Sequence, residues 1–385
     1  MYRNKLAERQ QFGQILKMSQ SLPTPHIIID LGMIRDNYRR MKSLCSYADI
    51  YYAVKACPLD EIVSMLNEEG SNFDIASRYE LDQVLALGVK PERLLYGNTI
   101  KKAEDIAYFY SKGVRYFASD CENDVRKTAL NAPGSNIYFR VLLPHSDSAD
   151  WPLSRKFGCS SEMVTDLISL AKELGLNPIG VSFHVGSQQR NMEIWDYALR
   201  TTAQIFEKSP VKLDFVDMGG GLPAQYNYPV DDLQTYAGTI EGYIDNHFRG
   251  EKPRFIMEPG RSLVGDSGVL AATVVETARK DASDPVRWVY IDAGKFNGMV
   301  ETIDESIKYS AYFPGRDENS PVGPVILAGP TCDSMDIMYE NYKMEMPLDL
   351  KAGERIYFLA AGAYTASYAS VCFNGFPPIK TYIYR

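Results

Sequence analysis

The chain has 385 residues, which is too long for one ordinary small domain, and its 45% of hydrophobic residues can fill a sizeable core. A formal net charge of -8 without a long basic run argues against nucleic acid and anionic membranes as partners, and it suits a cationic ligand. The six cysteines form no CxxC pair and no Cys/His cluster with zinc spacing, so we expect no metal site. The polar start lacks a signal-peptide core and no apolar run reaches membrane-span length, which predicts a cytoplasmic protein.

We interpret residues 1–23 as an N-terminal extension and TPHIIIDLG (24–32) as a strand. Between residue 36 and about residue 260, short apolar runs alternate with longer amphipathic stretches of helical period. One such stretch is 161–176, whose apolar residues recur at helical spacing at Met163, Leu167, Leu170 and Leu174. Glycines stand where the helices should stop, at Gly70, Gly88, Gly113 and Gly175.

The apolar runs predict eight strands, at 49–54, 72–76, 94–97, 116–119, 136–141, 179–185, 215–220 and 254–260. Eight strand–helix units in about 225 residues are typical of a (β/α)8 barrel, which we place at 33–265. An open doubly wound sheet is the alternative, and it needs fewer strands. Beyond residue 265 the runs are rich in β-formers, which predicts a second, mainly β domain made of 266–385 together with 24–32.

Polar residues end most of the predicted strands. In barrels of this kind, reactive residues gather at the C-terminal ends of the strands. The polar and glycine residues at those ends are Lys55, Asp74, Asn98, Arg140, His184, Gly219, Gly220, Gly221 and Glu258. This coincidence predicts an active site at the mouth of the barrel.

Each of these residues also has a plainer explanation. Lys55 in YYAVKACP either reaches solvent or keeps an amine there for chemistry. The glycines of DMGGG (217–221) suit an anion nest or a tight turn, and Arg261 in EPGR suits a phosphate or an exposed ion pair. His184 on an apolar strand suits a hydrogen-bonded core residue. Glu258 ends an apolar strand, where it needs a cationic or N–H partner.

Taken together, the residues favour one cofactor. A buried lysine amine, a phosphate cradle and a carboxylate that needs a protonated nitrogen match the aldehyde, phosphate and pyridine nitrogen of pyridoxal 5'-phosphate. Lys55 would then form the Schiff base, and Glu258 would keep the pyridine nitrogen protonated.

Nine motifs carry a resemblance that runs from about residue 24 to the C-terminus: YYAVKACP, FDIAS, LSRKFG, SFHVGSQ, DMGGGLPA, EPGRSL, AGPTCDS, GAYTASYAS and FNGFPP. The chain resembles the fold-type III pyridoxal-phosphate-dependent decarboxylases, and among them the ornithine decarboxylase group. Diaminopimelate decarboxylases are similar in the barrel but carry a CES-type motif in place of GPTCDS.

The resemblance implies a role for each matching residue. Lys55 matches the Schiff-base lysine, Asp74 the carboxylate beside it, and Glu258 the partner of the pyridine nitrogen. Arg140 matches a supporting arginine and His184 the imidazole that stacks on the cofactor ring. The implied contacts of the cofactor phosphate and its surroundings are Ser187, Gly219, Gly220, Gly221, Gly260, Arg261 and Tyr364.

The GPTCDS loop is, from its residues alone, a Gly/Pro turn with a thiol beside an acid. The resemblance implies that Cys332 handles the product-side proton, that Asp333 receives the distal amine of the substrate, and that both come from the neighbouring subunit of a homodimer. A Tyr–Asp pair of the animal-type relatives is replaced here by Glu301 and Thr302 within KFNGMVETIDESIKY (295–309). Glu301 and Asp304 are therefore the expected substrate-binding acids, with Glu305 also available, and the choice among them stays open.

The implied reaction is decarboxylation of a basic amino acid, with L-ornithine to putrescine, a step of polyamine synthesis, as the first expectation. Lysine to cadaverine, or activity on both, is the alternative. A racemase would need a two-base arrangement, which GPTCDS argues against. A non-catalytic regulatory homologue is disfavoured because Lys55, Glu258, Arg261 and Cys332 are all present.

Overall fold

The structure is a computed structural model that describes residues 7–143, 149–151, 156–317 and 319–385. The first letters of the LSRKFG motif (153–155) and residues 1–6 of the N-terminal segment lie outside the described residues. The chain forms two compact units. One comprises Arg35–Pro223 and Asp231–Ser262, and the other comprises the residues up to Ile34 with Ala224–Val230 and Leu263–Arg385. Among the helices described, none is long and apolar enough to cross a bilayer.

Elements are numbered in chain order over the described residues. The helices are α1 Phe12–Gln20, α2 Leu31–Leu44, α3 Asp60–Glu68, α4 Arg78–Ala86, α5 Ala103–Ser111, α6 Glu122–Asn131, α7 Ser161–Glu173, α8 Glu193–Lys208, α9 Leu233–His247 and α10 Arg261–Val264. The strands are β1 His26–Asp30, β2 Ala48–Ala53, β3 Asn72–Ile75, β4 Leu94–Tyr96, β5 Tyr116–Ser119, β6 Asn136–Arg140, β7 Ala149–Trp151, β8 Asn177–Ser182, β9 Ser187–Gln189, β10 Phe215–Asp217, β11 Arg254–Met257, β12 Gly268–Ala278, β13 Arg287–Ile291, β14 Ser310–Tyr312, β15 Val322–Ala328, β16 Ile337–Pro347, β17 Arg355–Leu359 and β18 Lys380–Tyr384.

The first unit is a closed barrel of eight parallel strands in the order β2, β3, β4, β5, β6, β8, β10 and β11. The last strand, β11, pairs in parallel with the first, β2, so the sheet has no free edge. Each of the eight predicted strands overlaps one strand of this barrel. The predicted (β/α)8 barrel is therefore confirmed, and the open doubly wound sheet is wrong.

The barrel interior is apolar at its centre and polar at its mouth. Side chains alternate between the two faces of a strand, so every second residue points inward. The inward residues at the centre form one buried cluster of Tyr51, Leu95, Ala118, Tyr138, Ile179, Phe215 and Ile256. Two residues further along their strands stand the polar residues Arg140, Asp217 and Glu258. The cluster closes the barrel beneath these polar groups and keeps water from reaching them from below.

The helices follow the predicted pattern with one difference. The four glycines expected to end helices all have positive φ, which confirms them as helix stops. In α7, however, Met163 and Leu174 of the predicted apolar set are 49% and 37% exposed. The buried side of the helix is formed instead by Val164, Leu167, Ile168 and Ala171. The sequence of α7 thus contains two apolar stripes that are offset by one residue. Which of the two is buried is decided only by how the helix packs against the barrel.

The second unit is built on a mainly β sheet in the order β14, β17, β12, β13, β15 and β16. The N-terminal strand β1 pairs with β12 and β18. Helix α1 lies in this unit too, because Phe12 and Ile15 pack in one cluster with Ile28 and Val269. Strand β16 was not predicted. It is an edge strand whose second half alternates between exposed Lys343 and Glu345 and buried Met344 and Met346, but the alternation is interrupted by the consecutive exposed residues Glu340 and Asn341.

A buried ion pair stabilises the barrel outside its mouth. The Nζ atom of Lys101 lies 2.6 Å from Oδ2 of Asp124, and neither side chain is exposed beyond 2%. The same Nζ donates to the carbonyl oxygens of Ala118 at 2.5 Å and Asn98 at 3.1 Å. Burial lowers the pKa of Lys101, and Asp124 raises it. The lysine therefore joins the chain after β4 to the end of β5 and to helix α6.

We predict that Lys101→Met lowers the free energy of unfolding by about 3 kcal/mol, because it leaves the Asp124 carboxylate buried without its closest cation. Urea unfolding followed by circular dichroism measures the change. Lys102→Met is the matched control, since Lys102 is 77% exposed and makes only a surface pair with Glu104, and it should change stability by less than about 0.5 kcal/mol. Equal effects of the two substitutions would contradict the structural role of Lys101.

Candidate active site

Lys55 lies in a short 3-10 turn, Val54–Ala56, that follows β2 at the barrel mouth. Its Nζ atom donates to Oδ2 of Asp74 on β3 at 2.9 Å. The Lys55 side chain is 50% exposed and that of Asp74 is 3% exposed. The expectation of a buried amine is therefore wrong: the turn lifts Lys55 out of the strand to the rim, where Asp74 orients the amine.

The turn that carries Lys55 packs against the EPG segment. A first side-chain carbon at Gly260 would lie 2.7 Å from Cβ of Ala56, which is closer than two carbons approach in proteins. Gly260 thus allows the chain after β11 to approach the turn. Gly260 is one of the residues predicted to surround a cofactor, and its contribution to the site is that it has no side chain to separate these two segments.

Three acidic residues gather inside the mouth: Asp74, Asp217 and Glu258. Asp74 and Asp217 are 3% and 2% exposed, and Oε1 of Glu258 and Oδ1 of Asp74 are buried without a hydrogen-bond partner in the described part of the chain. Burial raises the pKa of Glu258 well above its usual value, and the nearby Asp217 and Asp74 raise it further. Burial also raises the pKa of Asp217, to about 7. An unpartnered carboxylate oxygen in this environment favours binding of a protonated nitrogen.

Two residues of the mouth, Asp217 and Gly97, are not among the predicted site residues. Asp217 is the first residue of DMGGG and ends an apolar strand as Glu258 does, which is the signal that could have identified it. Gly97 directly follows β4. A side-chain carbon at Gly97 would lie 2.2 Å from Oδ1 of Asp74 and 3.2 Å from Oε1 of Glu258. The two acids occupy their positions because this residue is glycine.

Arg140 and Lys55 are the cations that act on these acids. Arg140 ends β6, and burial lowers its pKa while Glu258 and Asp217 raise it. Its guanidinium also stacks over the ring of Phe157, with 4.8 Å between the guanidinium carbon and the ring centroid. These contacts fit the predicted supporting role of Arg140.

His184 follows β8 and is held as a neutral imidazole. Its Nδ1 atom accepts a hydrogen bond from the N–H of Gly186 at 3.0 Å, so the ring proton lies on Nε2. Burial lowers the pKa of His184 well below its usual value, and Arg140 and Lys55 lower it further. A neutral ring can stack on a flat ligand without adding positive charge to the site.

The glycines of DMGGG are required by close backbone packing. A side-chain carbon at Gly219 would lie 2.4 Å from the carbonyl oxygen of Phe183, and one at Gly220 would lie 2.8 Å from that of Glu258. The tight-turn explanation is thus partly right, because Gly219 also has a φ of 62°. The N–H of Gly219 already donates to Oδ1 of Asp217, so an anion nest in this loop would use the N–H groups of Gly220 and Gly221.

Arg261 does not form the exposed ion pair that was its alternative explanation. It is 4% exposed, and its Nε atom donates to Oγ of Ser187 at 3.1 Å. Ser187 begins β9 and Arg261 begins α10, so the two residues come from distant segments of the chain. A buried guanidinium beside a hydroxyl suits a bound phosphate.

The other predicted site residues belong to the second unit. Cys332 is exposed, and Oδ1 of Asn374 accepts hydrogen bonds from its backbone N–H at 3.2 Å and from its thiol at 3.4 Å. Asp333 is exposed and accepts from the N–H of Met335 at 2.8 Å. Tyr364 adopts a left-handed conformation with φ of 59°.

The three acids of the 3-10 segment Val300–Glu305 have different surroundings. Glu301 is 3% exposed, whereas Asp304 lines a cavity of about 370 Å³ together with Lys295 and Ser334. Glu305 accepts hydrogen bonds from three backbone N–H groups of β16, so its carboxylate has a structural role. Asp304 and Glu305 both line this cavity, and of the two only Glu305 is bound to β16 in the part of the chain that the structure describes.

The comparisons with known proteins agree with this geometry. A family model described as the pyridoxal binding domain of pyridoxal-dependent decarboxylases matches residues 31–265. The chain belongs to this family. The predicted family, its decarboxylase class and its pyridoxal cofactor are thereby confirmed.

Similar proteins cover nearly the whole chain of this decarboxylase. It is 33% identical over 360 residues to an ornithine decarboxylase of Schizosaccharomyces pombe, which covers 91% of this chain and 81% of the relative. It is 28% identical over 376 residues to a lysine/ornithine decarboxylase of Selenomonas ruminantium, covering 97% and 92%. A crystal structure of a lysine/ornithine decarboxylase from Vibrio vulnificus with cadaverine superposes with a TM-score of 0.86 at 26% identity, covering 98% of this chain and 99% of that one.

We predict that Gly97→Ala weakens retention of pyridoxal phosphate about tenfold, because the added carbon displaces the carboxylates of Asp74 and Glu258. Absorbance titration of the cofactor-depleted protein measures the dissociation constant. Gly238→Ala is the control, since Gly238 lies on α9 with no atom within 4 Å of the added carbon, and it should stay within about twofold of wild type. Unchanged retention in Gly97→Ala would contradict the role of the acid cluster.

Proposed function

We propose that this decarboxylase removes the α-carboxyl group of a basic amino acid, with L-ornithine as substrate and putrescine as product. The observation that carries the proposal is the juxtaposition of the Lys55 amine with the unpartnered, buried Oε1 of Glu258 at one barrel mouth. Bound pyridoxal phosphate supplies the electron sink that stabilises the charge left when carbon dioxide departs.

The residues of the barrel would hold the cofactor by complementary chemistry. Arg261, Ser187 and the glycine loop would bind its phosphate, and Oε1 of Glu258 would accept the N–H of its ring nitrogen. His184 would lie against the flat ring as a neutral imidazole. Lys55 would provide the amine that attaches the cofactor and later carries a proton at Nζ, while Asp74 orients that atom.

The acids of the second unit support a cationic substrate. Asp333 and Asp304 present carboxylates at the surface and in a cavity respectively, and either would pair with the distal amine of a basic amino acid. Ornithine is supported by the similarity to the fungal ornithine decarboxylase. Lysine is the second candidate, because the two bacterial relatives are lysine/ornithine decarboxylases. One methylene separates these substrates and is worth only about 1 to 3 kcal/mol in a pocket.

A homodimer with shared sites is the assembly we propose. Exposed apolar residues lie near the GPTCDS and FNGFPP segments in the sequence, with Met335 67% and Val371 83% exposed. Cys332 and Asn374 hold these two segments together. A second copy of the chain would cover this surface and receive Cys332 and Asp333 at its own barrel mouth.

We expect release of carbon dioxide from ornithine, with a kcat/KM at least about tenfold above that for lysine. Assays with ornithine, lysine, arginine and diaminopimelate measure the ranking. Lys55→Ala is the control, since it removes the attaching amine at a half-exposed position and should abolish turnover while the melting temperature is retained. A ratio near one for ornithine and lysine would favour the dual activity, and faster turnover of arginine or diaminopimelate would contradict the proposal.

The shared site predicts complementation between two inactive variants. Lys55→Ala and Cys332→Ala chains, mixed in equal amounts and allowed to exchange subunits, should recover about a quarter of wild-type activity, because half of the dimers are hybrids with one intact site. The residual rate of each parent is measured and subtracted. Activity that stays at the sum of the parents after complete exchange would place both residues in sites of a single chain.

A further inference from the structure

Asp217 lies beside Glu258 because of the register of their strands. In the barrel, Asp217 of β10 pairs with Ile256 of β11, and Glu258 stands two residues further along the same inward face. Two backbone hydrogen bonds continue this alignment past the strand ends, from the Met218 N–H to the Ile256 carbonyl at 3.0 Å and from the Glu258 N–H to the Gly219 carbonyl at 2.8 Å. The two carboxyl groups thereby come within hydrogen-bonding distance of each other.

One oxygen of Asp217 is already committed. Its Oδ1 accepts the N–H of Gly219 at 2.8 Å, which leaves the other oxygen for Glu258. An ionised carboxylate can only accept hydrogen bonds, so two carboxyl groups in contact need a proton between them. Both groups stand above the apolar cluster of the barrel, where two adjacent negative charges would be poorly solvated.

The surrounding charges do not remove this requirement. Asp74 faces the pair with a further negative charge, and the hydroxyl of Tyr138 lies below it without a partner in the described residues. Arg140 acts on both acids, and Lys55 also lowers the pKa of Glu258 while its amine is bound to Asp74. Three buried acids therefore face two cations. Burial raises the pKa of Glu258 well above its usual value and the pKa of Asp217 to about 7, whereas the hydrogen bond with Glu258 lowers the pKa of Asp217.

We propose that Asp217 and Glu258 form an acid pair that shares one proton at neutral pH, and that Asp217 keeps this proton when Glu258 accepts an N–H from the cofactor ring. Asp217 is then a positioning residue. Its O–H binds one oxygen of Glu258, and Oε1 remains as the acceptor for the ring nitrogen. The inference rests on the cofactor and is independent of which amino acid is decarboxylated.

Infrared spectroscopy of the cofactor-loaded protein at pH 7 tests the shared proton directly. The difference spectrum between wild type and Asp217→Asn should show loss of a C=O stretching band of a protonated carboxyl group. Asp124→Asn is the matched control, because it removes a buried carboxyl group of the same barrel that lies outside the mouth and pairs with Lys101, and it should leave that band in place. Absence of the band in wild type, or its loss in Asp124→Asn instead, would overturn the proposal.

Substitutions at Asp217 separate hydrogen bonding from charge. Leucine has a similar volume but cannot bind Glu258 or Gly219, so Asp217→Leu should lower kcat by about 10- to 100-fold. Asparagine offers an N–H to Glu258 and an oxygen to Gly219, as the protonated acid does, and should recover most of that loss. An asparagine variant as impaired as the leucine variant would show that the negative charge of Asp217 is what matters. If Asp217→Leu fails to fold, the infrared comparison still decides.

Discussion

The pairing of β11 with β2 is the interaction on which the rest of the site depends. It closes the sheet, and closure brings the carboxyl ends of all eight parallel strands to one rim. Lys55 and Glu258, which are far apart in the chain, become residues of neighbouring strand ends. The apolar cluster below the rim excludes water, so that charges placed there interact strongly with each other and weakly with solvent.

Electrostatic balance then determines what the mouth can bind. Asp74, Asp217 and Glu258 are acids in a poorly solvated place, and Lys55 and Arg140 offset them only in part. The unpartnered oxygen of Glu258 favours a protonated nitrogen, and the contact between Asp217 and Glu258 favours a retained proton. Binding of a protonated cofactor nitrogen and protonation of a carboxyl group thus both reduce the same excess of buried negative charge.

Glycines, which have no side chain, determine the geometry of the site as much as the polar residues do. Gly97 leaves room for two carboxylates, Gly260 for the turn that carries Lys55, and Gly219 for the backbone before His184. In each case a single added carbon would lie within 2.7 Å of an atom that has little freedom to move. The glycines of the motifs are therefore steric requirements of the assembled barrel, in addition to any contact with a phosphate.

Local pattern was enough to predict the eight barrel strands and the helix stops, because apolar runs and glycines reflect the conformation of the segment in which they lie. Local motifs were also enough to identify the family through its lysine, glycine and EPGR segments. The exposure of Lys55, the buried side of α7 and the contact between Asp217 and Glu258 were decided only by the tertiary structure. Each of these depends on strand register or on packing between distant segments, and neither quantity is encoded in the spacing of residues within one segment.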